Sequence, residues 1–249
     1  MYRAKGYIGD YNLLSKLGAR TIPSGSIGTR YTHLNKPLQS SIASTTTRSS
    51  PFATTSANMT IISDTIKSDH REIEEYYKKI TNSNDEDEIV RYQNQFVWEL
   101  ARHSIGEELV VYPAFEKHLS EGKEMADRDR SEHLTVKEYL KKFQNMTPTD
   151  PNFSTTLNEL MNNLSKHIKE EESDDLPKLE NALAKNDSEA LSTSFGRTKA
   201  FVPSRSHPSA PDKPPFETAV GLLTAPIDHV ADMFRKFPDQ TISPNPSTK

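Results

Sequence analysis

The sequence predicts an all-α protein built around an antiparallel, up-down-up-down four-helix bundle. Apolar residues recur at spacings of three and four along four stretches between about residues 60 and 185, which is the pattern of amphipathic helices. The breaks between these stretches are short, and short connections favour antiparallel neighbours. The region also repeats internally. SDHREIEEYYKKI (68–80) aligns with SEHLTVKEYLKKF (131–143), and RHSIGEELVVYPAFEKHL (102–119) aligns with KHIKEEESDDLPKLENAL (166–183).

The first two predicted helices meet at a polar break. Helix one starts near Thr60 and ends at Asn82–Asn84. Helix two starts in the acidic run Asp85–Glu88, which suits the positive end of a helix dipole, and continues to about Leu119. Pro113 lies inside it and is predicted to kink its last turns. The apolar stripes are Ile62, Ile66, Ile73, Tyr76, Tyr77 and Ile80, then Phe96, Val97, Leu100, Ile105, Leu109 and Val110.

The third and fourth predicted helices follow the same plan. Helix three covers about Met125–Asn145, and helix four covers about Ser154–Ala184. Helix four carries Pro177 at the position that matches Pro113 in the duplication. The bundle is therefore predicted over residues 60–185.

The first 57 residues differ in composition from the rest of the chain. They contain seven Lys or Arg against one acid, Asp10, and they are rich in Ser and Thr. This composition is typical of a mitochondrial transit peptide, with cleavage expected between about Arg48 and Met59. The alternative is a disordered tail without a targeting role. Translation that starts at Met59 would instead give a cytoplasmic form without the leader.

Residues 186–249 are predicted to form a Pro-rich extension outside the bundle. Within it, residues 216–237 regain apolar content and predict a short amphipathic helix, broken at Pro226, that packs back on the bundle. The alternative is that this segment binds a partner protein or a membrane surface. The sequence contains no apolar run near the roughly 20 residues that cross a bilayer, so no transmembrane segment is predicted.

The composition limits the chemistry that the chain can perform. It has no cysteine, so any metal must be held by nitrogen and oxygen ligands. The net charge is −4 and the leader is basic, which leaves an acidic body and argues against a nucleic-acid-binding surface. The sequence shows no phosphate-binding glycine loop and no paired nucleophile and base, so whether the protein is an enzyme is left open.

The duplication keeps a small set of metal-binding side chains in register. A histidine and a glutamate four residues apart lie on one face of helix two, and the arrangement recurs on helix four. Helices one and three each add one histidine, so an antiparallel bundle can bring all of them to one depth. Imidazole mixed with carboxylate suits iron, and to a degree zinc or manganese. The predicted two-metal site consists of His70, His103, Glu107, His133, His167 and Glu171.

The neighbouring glutamates, Glu108 and Glu172, are also duplicated. Either could be an additional ligand, but adjacent helical residues point about 100° apart, so a position at the rim of the site is favoured. A single His-x3-Glu pair arises easily by chance, whereas the repeated set does not. The Glu-x-x-His spacing of ferritin-like carriers is absent from this set, which disfavours that class.

With these residues in this order on four helices, the chain resembles the hemerythrin-like (HHE cation-binding) family over about residues 60–185. The segment WELARHSIGEELVVYPAFEK (98–117) is especially similar to the second helix of fungal members, and the basic leader suits a fungal mitochondrial member. The resemblance implies a non-haem di-iron centre with both glutamates as bridges. One iron would be held by His70 and His103, and the other by His133 and His167.

The chain departs from the oxygen-carrying members at two positions. Lys137 stands where they have a fifth histidine, four residues after the third-helix ligand His133. Their last carboxylate lies five residues after its histidine, whereas Glu171 lies four residues after His167. One iron is therefore expected to have an additional open or water-filled position.

This departure leads to the main functional hypothesis. The protein is expected to hold two non-haem irons and to bind, sense or scavenge a small ligand, either dioxygen, nitric oxide or peroxide. One alternative is an iron storage or buffering protein. Another is a helical interaction scaffold that acts through its C-terminal segment.

Overall fold

The computed structural model describes residues 60–210, 216–241 and 245–246, and this part of the chain is helical without strands. The prediction of an all-α protein is confirmed. The predicted leader, residues 1–57, lies outside the described residues. Within the described ranges no helix combines the length and the apolar character needed to span a bilayer.

The helices predicted for the bundle are present, and two of them are interrupted by a wider turn. Their bounds are α1 Ile62–Asn82, α2 Glu86–Gly106, α3 Tyr112–His118, α4 Gly122–Phe143, α5 Phe153–Glu170 and α6 Leu176–Ala182. Helix α1 packs along α2, while α4 packs along both α3 and α5. The carboxylate of Asp85 caps α2 by accepting bonds from the N–H groups of Asp87 and Glu88, as its acidic start indicates.

A π-helical turn precedes each of the two prolines, and at Pro113 it takes the place of the predicted kink. Glu107–Val111 joins α2 to α3, and Glu171–Asp175 joins α5 to α6. A proline cannot donate a helical bond, and its ring crowds the carbonyl four residues earlier, so a wider turn just ahead of it relieves this crowding. Each π turn begins at a glutamate of the predicted metal site, and such turns are frequent at functional sites.

The apolar core has two parts that are separated by a polar layer. The first contains residues such as Ile73, Leu100 and Val136. The second contains residues such as Ile66 and Phe115. Along each of the four helical stretches the predicted ligands lie between a residue of one part and a residue of the other, as His70 lies between Ile66 and Ile73.

Helix α7, Lys185–Lys199, lies where the sequence predicted only extended chain. Its few apolar residues gave no clear stripe, but Phe195 is fully buried against α2. Helix α8, Phe216–Asp232, runs through Pro226, where a break was predicted. Contacts beyond the proline favour the continued helix, because Asp228 accepts a bond from the backbone N–H of Arg205.

A pair of glycine variants tests the packing of α7. A Cβ atom on Gly106 would lie 2.7 Å from Cε2 of the buried Phe195, whereas a Cβ atom on Gly196 would meet nothing within 4 Å. We expect Gly106→Ala to lower the free energy of unfolding by about 1–3 kcal/mol through overpacking. We expect Gly196→Ala to raise it by up to about 1 kcal/mol, because alanine is the better helix former. Urea unfolding followed by circular dichroism measures both, and equal effects would contradict the packing described.

Candidate metal centre

The structure brings the six predicted ligand residues together in the polar layer between the two apolar parts. Each is at most 2% exposed. Two imidazoles come from the helix pair α1 and α2, and two come from α4 and α5. The carboxylates stand at the start of the two π turns. The residues are His70, His103, Glu107, His133, His167 and Glu171.

The carboxylate of Glu107 lies between the two imidazole pairs. Its Oε1 atom is 3.1 Å from Nε2 of His103, and its Oε2 atom is 3.3 Å from Nε2 of His133. Metal–ligand bonds of about 2.1 Å place neighbouring ligand atoms at right angles about 3 Å apart. Each oxygen of Glu107 thus has the spacing of a ligand that shares an ion with a different imidazole.

The carboxylate of Glu171 also lies between the pairs. Its Oε2 atom is 3.4 Å from Nε2 of His70 and 4.0 Å from Nε2 of His167. Two groups of three ligand atoms lie close enough together to hold a metal ion, and both groups contain Glu107. One group contains His70, His103 and Glu107, and the other contains Glu107, His133 and His167.

The polar atoms of this layer are poorly satisfied by the protein alone. Both oxygens of Glu107, both oxygens of Glu171 and Nε2 of His70 and His103 are buried without a hydrogen-bond partner. Buried polar groups normally have partners, so six such atoms around one volume require an explanation. Cations that accept oxygen and nitrogen donors would satisfy them, and the residues therefore fit a metal centre.

The pKa values show how unfavourable the arrangement is without a cation. Burial, followed by the charge of Glu107, raises the pKa of Glu171 well above its ordinary value. Burial lowers the pKa of His70 to about 4. Burial would also lower the pKa of His103, but Glu107 and Asp69 outweigh it and raise that pKa to about 9. The two carboxylates repel each other, and a metal cation would offset that repulsion.

Each of the four imidazoles turns its other nitrogen, Nδ1, toward a carboxylate. Such a contact fixes the orientation of the ring and places the proton on Nδ1, which leaves Nε2 free to bind a metal. The Nδ1-to-oxygen distances are 2.8 Å for His70 to Glu172, 3.2 Å for His103 to Asp69, 3.3 Å for His133 to Glu108, and 2.9 Å for His167 to Glu132.

These contacts give a role to the duplicated neighbours of Glu107 and Glu171. Glu108 and Glu172 face the outer nitrogens of the histidines rather than the inner ones, so they orient imidazoles. Each also pairs with a cation, since Lys137 Nζ donates to Glu108 at 2.6 Å and Arg71 donates to Glu172. The position at the rim that the sequence favoured agrees with this placement.

The sequence reasoning missed the other two orienting carboxylates, although the duplication contains their signal. Asp69 directly precedes His70, and Glu132 directly precedes His133, so an acid stands at the same place in both copies. Each acid orients the histidine of the adjacent helix instead of its own neighbour: Asp69 faces His103 on α2. The aligned acids were visible in the sequence, but the helix pairing that gives them a target was not.

Comparison with known proteins agrees with this geometry. The family model of the hemerythrin HHE cation binding domain matches residues 61–179. A hemerythrin-like protein of Schizosaccharomyces pombe is 57% identical over 189 residues, which cover 76% of this chain and 93% of that protein. A DNA nickase of Nostoc is 27% identical over 144 residues, but the chain spans only 40% of that protein.

A solved structure shows the same fold. The crystal structure of a hemerythrin HHE cation binding domain-containing protein from Mycobacterium kansasii superposes with a TM-score of 0.50 and 22% identity. The match covers 57% of this chain and 86% of that one, and at this identity it speaks for the fold alone. The extent of the identity to the yeast protein establishes the relationship. The chain belongs to the hemerythrin-like family of proteins with an HHE cation-binding domain.

Proposed function

We propose that the protein is a non-haem di-iron protein whose centre binds, senses or scavenges a small ligand such as dioxygen, nitric oxide or peroxide. The position of Glu107, with one carboxylate oxygen toward each imidazole pair, is the observation that supports two ions rather than one. We further infer an up-down-up-down antiparallel bundle around the centre, which the short connections between consecutive packed helices support.

The donor set favours iron over harder or softer cations. Four imidazoles and two carboxylates are borderline-to-hard ligands, and the chain has no cysteine that would select a thiolate metal. When bound, ferrous ions would supply electrons and coordination positions for a small ligand. The protein's own residues hold the ions, orient the imidazoles and exclude bulk water, since the ligand residues are nearly inaccessible to solvent.

Anaerobic loading with iron tests the proposal. We expect the purified full chain to take up two ferrous ions, measured by elemental analysis after desalting. Dioxygen, nitric oxide and hydrogen peroxide are then added to separate samples, and we expect at least one of them to change the optical spectrum. A protein that holds iron without a spectral response to any of the three small ligands would instead be a storage or buffering protein. Failure to retain iron would overturn the proposal.

Exposed apolar side chains at the end of α8 favour a second candidate, an interaction scaffold. Ile227, Val230, Met233 and Phe234 are all more than half exposed. Removing everything after Ala184 would not test this role cleanly, because α7 would be lost as well. Replacing Val230 and Phe234 by serine leaves α7 and the centre in place. The variant is compared with the wild type for its ability to restore the phenotype of cells that lack the protein. A variant that retains its iron but fails to restore the phenotype would favour the scaffold role.

A further inference from the structure

The second half of helix α8 lies on the protein with its polar side inward. Between residues 224 and 234 every exposed residue is apolar, and both acidic residues, Asp228 and Asp232, are buried. A surface helix of a soluble protein normally buries its apolar side and turns its charges toward solvent. The reversal leaves an apolar strip on the outer side, called the α8 stripe below. It consists of Ile227, Val230, Met233 and Phe234, which are 58–83% exposed.

Hydrogen bonds fix α8 in this orientation. The carboxylate of Asp228 accepts a bond from the N–H of Arg205 at 3.2 Å and lies 3.0 Å from Nε2 of His207. The carboxylate of Asp232 accepts a bond from the hydroxyl of Ser204. Turning the helix to bury its apolar side would break these bonds and leave polar groups without partners, which is unfavourable. The α8 stripe is therefore held toward the outside.

The spacing of the apolar residues is that of a helix which packs along another helix. Intervals of four and three alternate through α8 and the turn after it, and such a 3.5-residue repeat keeps one side of a helix facing a partner over its whole length. The residues at these intervals are Phe216, Val220, Leu223, Ile227, Val230 and Phe234. A helix with the same repeat is thus a partner that fits this surface.

The positions beside these residues indicate which partner this is. A helix that lies on a membrane surface carries Lys and Arg next to its apolar side, and helices that select an oppositely charged partner carry charges at the same flanks. Neither feature is present between residues 224 and 234, where the flanks are uncharged. A second copy of this chain brings the same uncharged flanks, so no like charges meet. The flanking residues are Thr224, Pro226, Ala231 and Met233.

The exposed area is sufficient for such a contact. Large apolar side chains cover roughly 150–250 Å² each, so the four residues of the α8 stripe offer on the order of 500 Å² per copy. Two copies would bury on the order of 1,000 Å², about the minimum for a specific interface. We propose that the α8 stripe packs against the same stripe of a second copy, so that the protein forms a symmetric dimer. The same surface on both copies is what two-fold symmetry requires.

Sedimentation velocity of the purified full chain over a range of concentrations tests the proposal. We expect the wild type to dimerise as its concentration rises. Val230→Ser combined with Phe234→Ser should weaken association by about 100-fold or more, because two large apolar contacts are lost on each copy. Leu134→Ser is the matched control, since Leu134 is an exposed leucine on α4, and it should associate like the wild type. Circular dichroism verifies that each variant is folded.

Cross-linking gives a second measurement that does not depend on the serine variants. The chain has no cysteine, so a short bismaleimide can join Val230→Cys only to another copy through this position. We expect a covalent dimer in dilute solution, whereas Leu134→Cys should stay monomeric under the same conditions. A Val230→Cys variant that is not cross-linked would overturn the proposal.

The remaining outcomes distinguish the possible partners. A wild-type chain that is still a monomer at about 100 μM would overturn the proposal, because interfaces of standard size bind at micromolar concentrations or below. If that monomer floats with phosphatidylcholine vesicles, the α8 stripe binds a membrane surface instead. A dimer that persists in the double serine variant would also overturn it. None of the six ligand residues lies on α8, so these results leave the metal assignment unaffected.

Discussion

Replacement of Glu107 by alanine is expected to remove both metal ions from the protein. Its two oxygens lie 3.1 Å and 3.3 Å from the Nε2 atoms of His103 and His133, so one side chain serves both imidazole pairs. His133→Ala removes a ligand from only one group, and we expect it to lose mainly one ion. Elemental analysis of each desalted variant, after identical iron loading, measures the number of ions per chain.

The neighbouring Glu108 provides a matched control. It orients the ring of His133 but faces its outer nitrogen, so Glu108→Gln should keep both ions and weaken their binding by about 10–100-fold. Chelation should lower the thermal unfolding temperature of the wild type, because bound metal stabilises the folded state, and should leave that of Glu107→Ala unchanged. Two ions retained by Glu107→Ala would contradict the bridging arrangement.

The bundle helices could be predicted from the sequence because the patterns that mark them are local. Apolar spacing of three and four marks the buried face of a helix, and a proline marks a disturbed turn. Helix α7 could not be predicted in this way. Its place in the structure depends on scattered tertiary contacts with the bundle, such as those of Phe195 and Lys199, and such contacts leave little apolar periodicity.

The inner part of the site was predictable for a different reason. A duplication exposes any chemistry that both copies retain, and His103 with Glu107 recurs as His167 with Glu171. The same comparison cannot find a functional residue that only one of the two copies contains. Tyr112 lies against the ring of His133, with its hydroxyl oxygen 2.9 Å from Nε2, but it corresponds to Leu176, so the comparison of the two copies does not single it out. Its contact with the site depends on the π turn, whose width a sequence pattern does not give.

The orienting carboxylates show a second limit of pattern reasoning. Spacing along one helix identifies partners four residues apart, whereas Asp69 on α1 acts on His103 on α2. Finding this pair requires knowledge of which helices are adjacent and at what depth. The ion pair between Asp69 and Lys199 was hidden for the same reason, because the two residues lie 130 positions apart in the sequence.

Replacement of Lys199 by methionine is expected to destabilise the protein strongly, although Lys199 lies outside the ligand set. Its ammonium group is buried and donates to the carboxylates of both Asp69 and Glu99. Methionine keeps most of the length of the side chain but removes the charge. Removing one partner from a buried ion pair leaves an uncompensated charge, so we expect the free energy of unfolding to fall by about 3–5 kcal/mol. Arg102 offsets part of this loss, since it reaches Glu99 at 3.5 Å.

A lysine on the same helix supplies the comparison. Lys185 is largely exposed and lies 3.7 Å from Glu189, and exposed pairs of this kind contribute at most about 1 kcal/mol, so Lys185→Met should unfold much like the wild type. Urea unfolding of the metal-free proteins measures the direct cost. Because Asp69 orients His103, Lys199→Met should also bind iron more weakly in competition with a chelator. Equal unfolding of the two variants would show that α7 is not held by this buried ion pair, and unchanged iron affinity would show that the ring of His103 does not depend on it.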